Sequence, residues 1–241
     1  MKLKSVTIPV SHLLAVAAQA AKDDVRFYLN GVLIEVEDGG VMCVATNGHI
    51  LGAIRGGEAN AAGDHKHVDD TQLIVPIEII RRLKPSKKFA NSAVIITNEA
   101  ADLWTLTSMF ADPIHFKMID GKFPDWRCVI PVRVSNECGQ YDPELLALFS
   151  KSDTALNPAR IFAGVALAQN GTGPAIVSIA HAPHYFGIIM PMRIEGRVTE
   201  RPAWTLTKAE LAELAAAAKT AKRTRAKIEG KSEAEADKAA A

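Results

Sequence analysis

The stretch VRFYLNGVLIEVEDGGVMCVATNGHILGAI, residues 25–54, decides the fold. It is a series of short apolar runs broken by turn residues. Val25–Leu29 and Val32–Val36 flank Asn30-Gly31, while Val41–Thr46 and Ile50–Ile54 flank Asn47-Gly48-His49. Asp38-Gly39-Gly40 separates the two pairs. β-Branched and apolar runs punctuated by Asn-Gly and Gly-Gly are the pattern of antiparallel strands joined by tight turns. The expectation is an antiparallel meander.

Working outward, residues 5–9 read as a short strand, and Ser11 as the N-cap of an Ala-rich helix over Leu13–Ala21. Downstream, Gly56–Asp70 is polar and Gly/Ala-rich and reads as a mobile loop. The order then restarts. A strand at Leu73–Pro76 leads into a helix at Ile77–Leu83, followed by strands at Val94–Thr97, Leu103–Thr107 and His115–Met118. A third round opens at Asp142 or Pro143 with a helix over Glu144–Ser150, Pro suiting the first helical position. Strands at Ile161–Leu167, Ile176–Ala180 and Tyr185–Met190 complete it, with a turn at Asn170-Gly171. Three rounds of one short helix and several antiparallel strands predict an α+β fold, with helices packed on one face of each sheet.

Beyond Trp204 the composition changes. Thr207 and Glu210 have the spacing of a capping box, with Leu211 and Leu214 continuing a helix. Ala and charge dominate after that, with Lys219, Lys222, Arg223, Arg225 and Lys227 clustered. Residues 207–241 hold 8 Lys/Arg and 6 Asp/Glu, so the tail is mildly basic and expected to fray. The whole chain has 241 residues and a net charge of +1, so bulk basicity makes no case for nucleic acid, and only charge placement can. Cys43, Cys128 and Cys138 make no metal pattern and no even disulfide framework, which fits a reducing cytoplasm. The N-terminus lacks the apolar core of a signal peptide, and no apolar run reaches the roughly 20 residues of a membrane helix. The absence of a nucleophile elbow, a phosphate-binding loop or a dinucleotide motif speaks against an enzyme. Asp64, His65 and His67 with Asp69 and Asp70 resemble a metal set only loosely and read as a polar loop, so no metal or cofactor is expected.

Three stretches, in order, resemble the bacterial DNA sliding clamp family, the DNA polymerase III beta subunit. They are Asp24 to Leu33 running on to Val44-Ala-Thr-Asn-Gly-His-Ile-Leu, then Asp120-Gly-Lys-Phe-Pro-Asp-Trp-Arg with Ile74-Val-Pro upstream, then Ile188-Ile-Met-Pro-Met-Arg-Ile. The order is that of the family's middle domain followed by the end of its last domain. The resemblance implies one complete clamp-like domain at 1–132, a partial second one at 133–200, and the tail at 201–241. It implies no first domain and no front half of the last.

The family's ring encircles duplex DNA, with helices lining the hole, and tethers polymerase and clamp-loader-type proteins through short peptides. The resemblance therefore implies double-stranded DNA and those proteins as partners, a homo-oligomer, no membrane, a cytoplasmic location and no catalysis. If three rounds per chain contribute to a ring of twelve, four chains would close it. Phosphate contacts would fall to Lys22, Arg26, Tyr28, Arg81, Arg82, Lys84, Lys87 and Lys88, with Lys151 a further candidate. The peptide pocket would be walled by Leu29, Thr46, Gly48, His49, Leu51, Pro124, Val129, Ile188, Met190, Pro191, Met192 and Arg193. Met and Leu adapt to Leu/Phe anchors, and a Gly turn admits a close backbone. Asn47 stands where the family usually has Asp, and Ile50 where it usually has Arg, which puts peptide specificity in question. The alternative is a clamp-like interaction module that has lost the ring and binds, or competes for, clamp partners.

Overall fold

The structure is a computed structural model that describes residues 3–37, 40–61, 71–86, 89–90, 92–100, 103–159, 164–193, 202–213 and 216. The chain divides into two compact units, Met1–Arg193 and Ile194–Ala241.

Among the described residues the first unit is α+β, built on two antiparallel sheets and three α-helices. Its strands are β1 (Leu3–Pro9), β2 (Gly31–Glu37), β3 (Gly40–Thr46), β4 (Ile50–Arg55), β5 (Glu58–Ala61), β6 (Thr71–Pro76), β7 (Ala93–Ala100), β8 (Leu103–Ser108), β9 (Ile114–Phe116), β10 (Val165–Ala168), β11 (Ala175–Ile179) and β12 (Tyr185–Ile189). Its helices are α1 (Val10–Ala17), α2 (Ile77–Arg81) and α3 (Pro143–Leu156). A five-stranded sheet runs β5-β1-β7-β8-β9, and a seven-stranded sheet runs β10-β11-β12-β4-β3-β2-β6. Strand pairing therefore passes without a break from β4, in the first round, to β12, in the third, with Leu51 opposite Ile188.

The meander over β2, β3 and β4 forms as its pattern predicts, but what precedes it does not. Val25–Leu29 is not a strand, and Asn30-Gly31 is not a hairpin turn. Phe27–Leu29 is a single 3-10 turn. The reason is local. The Asn30 side chain accepts from Asp24 N at 2.9 Å and donates to Asp24 O at 2.8 Å, closing the segment into a loop. Side chains that bond the nearby backbone compete with a strand ladder. Gly31 instead opens β2, where a Cβ would come within 2.7 Å of both Ile74 Cγ2 and Val75 O on β6.

Three other expectations are corrected. Helix α1 starts at Val10, not after Ser11, because Pro9 supplies its extended N-cap residue (φ −58°, ψ 132°) and Ser11 is buried inside the first turn. The span read as a mobile loop carries strand β5, which pairs with the free edge of β1. Helix α3 is longer than expected: Asp142 caps it by accepting from Glu144 N at 2.8 Å, and it runs on to Leu156. The Asp38-Gly39 turn, the His65/His67 loop, Ile161 and the basic cluster from Lys219 to Lys227 lie outside the described residues.

Both faces of the seven-stranded sheet are apolar, and β2 is buried from Gly31 through Val36. The inner face (Val32, Ile34, Cys43, Ala45, Ile50, Ile54, Ile189) joins the main core with α1, α2, α3 and the five-stranded sheet. Glycines let the helices approach it: a Cβ on Gly187 would lie 2.7 Å from Phe149 Cε1 of α3. The outer face (Leu33, Val44, Leu51, Ala53, Ile74, Ile188) forms a separate cluster capped by Phe123.

In the second unit, residues 208–213 are helical. Thr207 N donates to Glu210 Oε2 at 2.7 Å, and Glu210 N donates to Thr207 Oγ1 at 3.3 Å, so the expected capping box forms.

Candidate peptide-binding pocket

The outer face is covered by an arch, residues 119–130, tied to β2 by the carboxylates of Glu35 and Glu37. Glu35, on β2, accepts from Gln72 Nε2 at 2.8 Å and Trp126 Nε1 at 3.3 Å, and pairs with Arg127 at 2.9 Å. Arg127 also pairs with Glu37 at 2.8 Å and lies 4.4 Å from the Trp126 ring centroid. Asp125 caps the 3-10 turn Trp126–Val129 by accepting from Arg127 N at 3.1 Å. It also accepts from the Cys128 thiol at 3.0 Å. These contacts hold the Asp125 carboxyl below its ordinary range and push the Cys128 thiol up.

Where the arch stops short of the β3–β4 turn, a cavity of about 210 Å³ opens. Leu29, Leu51 and Ile188 make its buried floor, and Val129, Pro124 and Trp126 one wall. Met190, His49 and Gly48 stand at the turn end. The turn is rigidly built. Gly48 takes φ +92°, which only Gly adopts freely. The Asn47 side chain accepts from His49 N at 2.9 Å and Ile50 N at 3.0 Å, and Thr46 Oγ1 donates to Ile50 O at 2.6 Å while accepting from Gly48 N at 3.0 Å. Met190 N donates to His49 O at 2.8 Å, which ties the end of β12 to the same turn.

Nine of the twelve expected wall positions border this one cavity: Leu29, Thr46, Gly48, His49 and Leu51 from the first round, Pro124 and Val129 from the arch, Ile188 and Met190 from β12. Pro191, Met192 and Arg193 do not line it, and Met192 N instead donates to Gln140 O at 2.7 Å. Arg26 and Tyr28, expected to meet phosphates, line it too. Asp24 grips the Arg26 guanidinium with both carboxylate oxygens, at 3.1 and 2.8 Å, and Arg26 Nη2 donates to Asn47 O at 3.3 Å. Hydrogen bonds from the Arg26 side chain and backbone hold the Asp24 carboxyl down at about 2. A Cβ on Gly48 would sit 3.1 Å from the Arg26 guanidinium nitrogens.

Away from the cavity, Arg81, Arg82 and Lys84 are exposed at the C-terminal end of α2, Lys22 after α1, and Lys151 on α3. None of the five is in an ion pair among the described residues. Lys87 and Lys88 lie outside them. No group of three or more His, Cys, Asp or Glu among the described residues is placed to hold a metal. No helix among the described residues is long and apolar enough to cross a membrane.

The sequence profile of the DNA polymerase III beta subunit, central domain, matches residues 9–125. The chain is a partial-length match to the beta sliding clamp family, covering the central-domain region. The beta sliding clamp of Vibrio cholerae is 30% identical over 151 residues, covering 63% of this chain and 39% of that clamp. That of Pseudomonas aeruginosa is 36% identical over 111 residues, covering 46% and 28%. The sequence matches thus span well under half the length of these clamps. A crystal structure of the P. aeruginosa DNA polymerase sliding clamp covers 79% of this chain with TM-score 0.56 and 22% identity, and 67% of the clamp chain is matched. A second, of that clamp bound to griselimycin, has TM-score 0.55. The beta clamp family is one of non-enzymatic processivity factors.

Sequence reasoning missed Trp126, Asp125 and Ile50 as lining residues. The signal for the first two was present, since both lie in the Asp120–Arg127 stretch that carries the resemblance. Ile50 stands out as the position where Arg is usual in clamps. Its side chain is buried in the main core, and Arg26 brings a cation to the turn end from another loop.

Proposed function

We propose that this protein is a sliding-clamp-like replication processivity factor that tethers polymerase and clamp-loader-type proteins by binding short peptide segments in the arch cavity. The carrying observation is the single cavity that gathers residues 29, 46, 48–51, 124–126, 129, 188 and 190 on the outer sheet face. An apolar floor, a Met at the rim and a fixed Gly turn suit a Leu/Phe-anchored peptide. Double-stranded DNA would be met by Lys22, Arg81, Arg82, Lys84 and Lys151 through non-specific phosphate contacts, supported by their exposure and freedom from ion pairs. The domain division proposed is a complete clamp-like domain to residue 132, a partial one to residue 200 and a tail. Strands β10, β6, β5 and β9 end the sheets among the described residues. Such open edges suit head-to-tail assembly into a homo-oligomer. The cytoplasm is the proposed site of action, and the three cysteines are free thiols.

The pocket is tested by titrating a Gln-Leu-x-Leu-Phe-type peptide. Binding is expected, with Met190→Asp weakening it at least roughly a hundredfold, as for loss of an interface hot spot. No binding by the wild-type chain sinks the pocket reading. The ring is tested separately by light scattering and by retention on circular DNA. A monomer that binds peptide but is not retained would instead select the ring-less interaction module.

A further inference from the structure

The arch leaves a second opening on the outer face. Beyond Trp126 lies another cavity, of about 240 Å³. Its floor continues that of the first along the same strands. On β4, Leu51 is followed by Ala53 and Arg55; on β12, Ile188 is preceded by Phe186; on β3, Met42 pairs with Arg55 as Thr46 pairs with Leu51. Residues two apart on a strand face the same way, about 6.6–6.8 Å apart. The two cavities therefore lie in line, and Trp126 lines both.

The charge of the second cavity is one-sided. Among the described residues its lining is apolar except for Arg55 and His184, and none of them is a carboxylate. Arg55 is exposed and has no ion pair among the described residues. Glu35 and Glu37, on β2 and separated from β4 by β3, both pair with Arg127. An apolar hole with an unmatched guanidinium at its end complements an apolar side chain with a carboxylate beside it.

We propose that this cavity is a second subsite of the same groove, occupied by the partner segment that flanks the anchor peptide and presents a Leu or aromatic residue next to Asp or Glu. The proposal rests on the peptide-binding reading of the first cavity. Leu51 and Arg55 are four strand steps apart, about 13 Å. An extended peptide spans that in roughly four residues, which sets the spacing between anchor and second residue. The chain would cross over the half-buried indole of Trp126.

The test uses the full chain and three fluorescein-labelled peptides read by anisotropy: the anchor alone, and the anchor with a Phe-Asp pair placed four residues after or before it. One extended peptide is expected to bind roughly tenfold tighter than the anchor. Arg55→Glu and Phe186→Ala should each erase most of that gain and leave the anchor's affinity unchanged. The unchanged anchor affinity also reports that the sheet is intact. Arg55→Lys should restore part of the gain. The second subsite is overturned if the anchor binds and neither extension gains, or if the gain survives both variants. If no peptide binds at all, the first cavity's reading falls and this one falls with it.

Discussion

The two faces of the seven-stranded sheet both carry apolar clusters but are closed in different ways. The inner face is sealed by three helices, with Phe149 seated on Gly187 and the side chains of Val32, Ile34 and Cys43 fully covered. The outer face is covered by an arch with little regular structure, and the arch leaves openings at both ends. The inner closure is hydrophobic packing spread over many side chains. The outer closure converges on one buried carboxylate, Glu35, and the few donors around it. An apolar face shut this way keeps binding surface available without exposing it as a broad patch.

The contrast can be broken in four places. Phe149→Ala attacks the inner seal and leaves a void against Gly187. It is expected to cost about 3–5 kcal/mol in denaturant unfolding, with the peptide cavity altered only through global stability. Glu35→Ala attacks the outer seal. It strands the Trp126, Gln72 and Arg127 donors, at about 1–3 kcal/mol, and Trp emission should shift red as the arch loosens. An unchanged emission spectrum would show that the arch holds without Glu35. Asn47→Ala removes two acceptor bonds from the β3–β4 turn and should cost about 1 kcal/mol, while weakening peptide more than it weakens the fold.

The smallest effect is a pH dependence of the inner face. Burial holds the His12 imidazole below its ordinary 6.5, and nearby His184 opposes its charge further, while a backbone contact with Gly56 acts the other way. Below 6.5 the unfolded chain therefore binds the proton more readily than the folded one. The contribution to stability is full above that pH and is lost as the pH falls toward the folded value. His12 is partly solvated, so the change between pH 7 and 5 should stay under about 1 kcal/mol. His12→Gln should flatten it in the same unfolding assay.

Much of this was legible in the sequence. β2, β3 and β4 show as apolar runs between turn pairs, and Asp142-Pro143 marks the start of α3. Leu29, Leu51, Ile188 and Met190 could be brought together only through the family resemblance, since nothing local links β4 to β12. What was not legible depends on partners distant in the chain or on side chains competing with the backbone. Val25–Leu29 has strand composition, and two bonds between Asn30 and Asp24 override it. Glu58–Ala61 has loop composition, and the open edge of β1 makes a strand of it. Arg26 reads as a phosphate contact by type, but Asp24 and the carbonyl of Asn47 hold it at the cavity rim.

The turn at that rim has a chemical as well as a geometric consequence. Asn-Gly is the dipeptide most prone to spontaneous deamidation, because the glycine N–H can swing round to attack the asparagine side-chain carbonyl. At Asn47-Gly48 the side chain is fixed in orientation and the attacking N–H is engaged elsewhere. The side-chain oxygen holds His49 N and Ile50 N, and Gly48 N is turned onto the Thr46 hydroxyl. The hydrogen bonds that shape the pocket thus also slow its covalent ageing, and loosening the turn would shorten the working life of the site as well as weaken its grip.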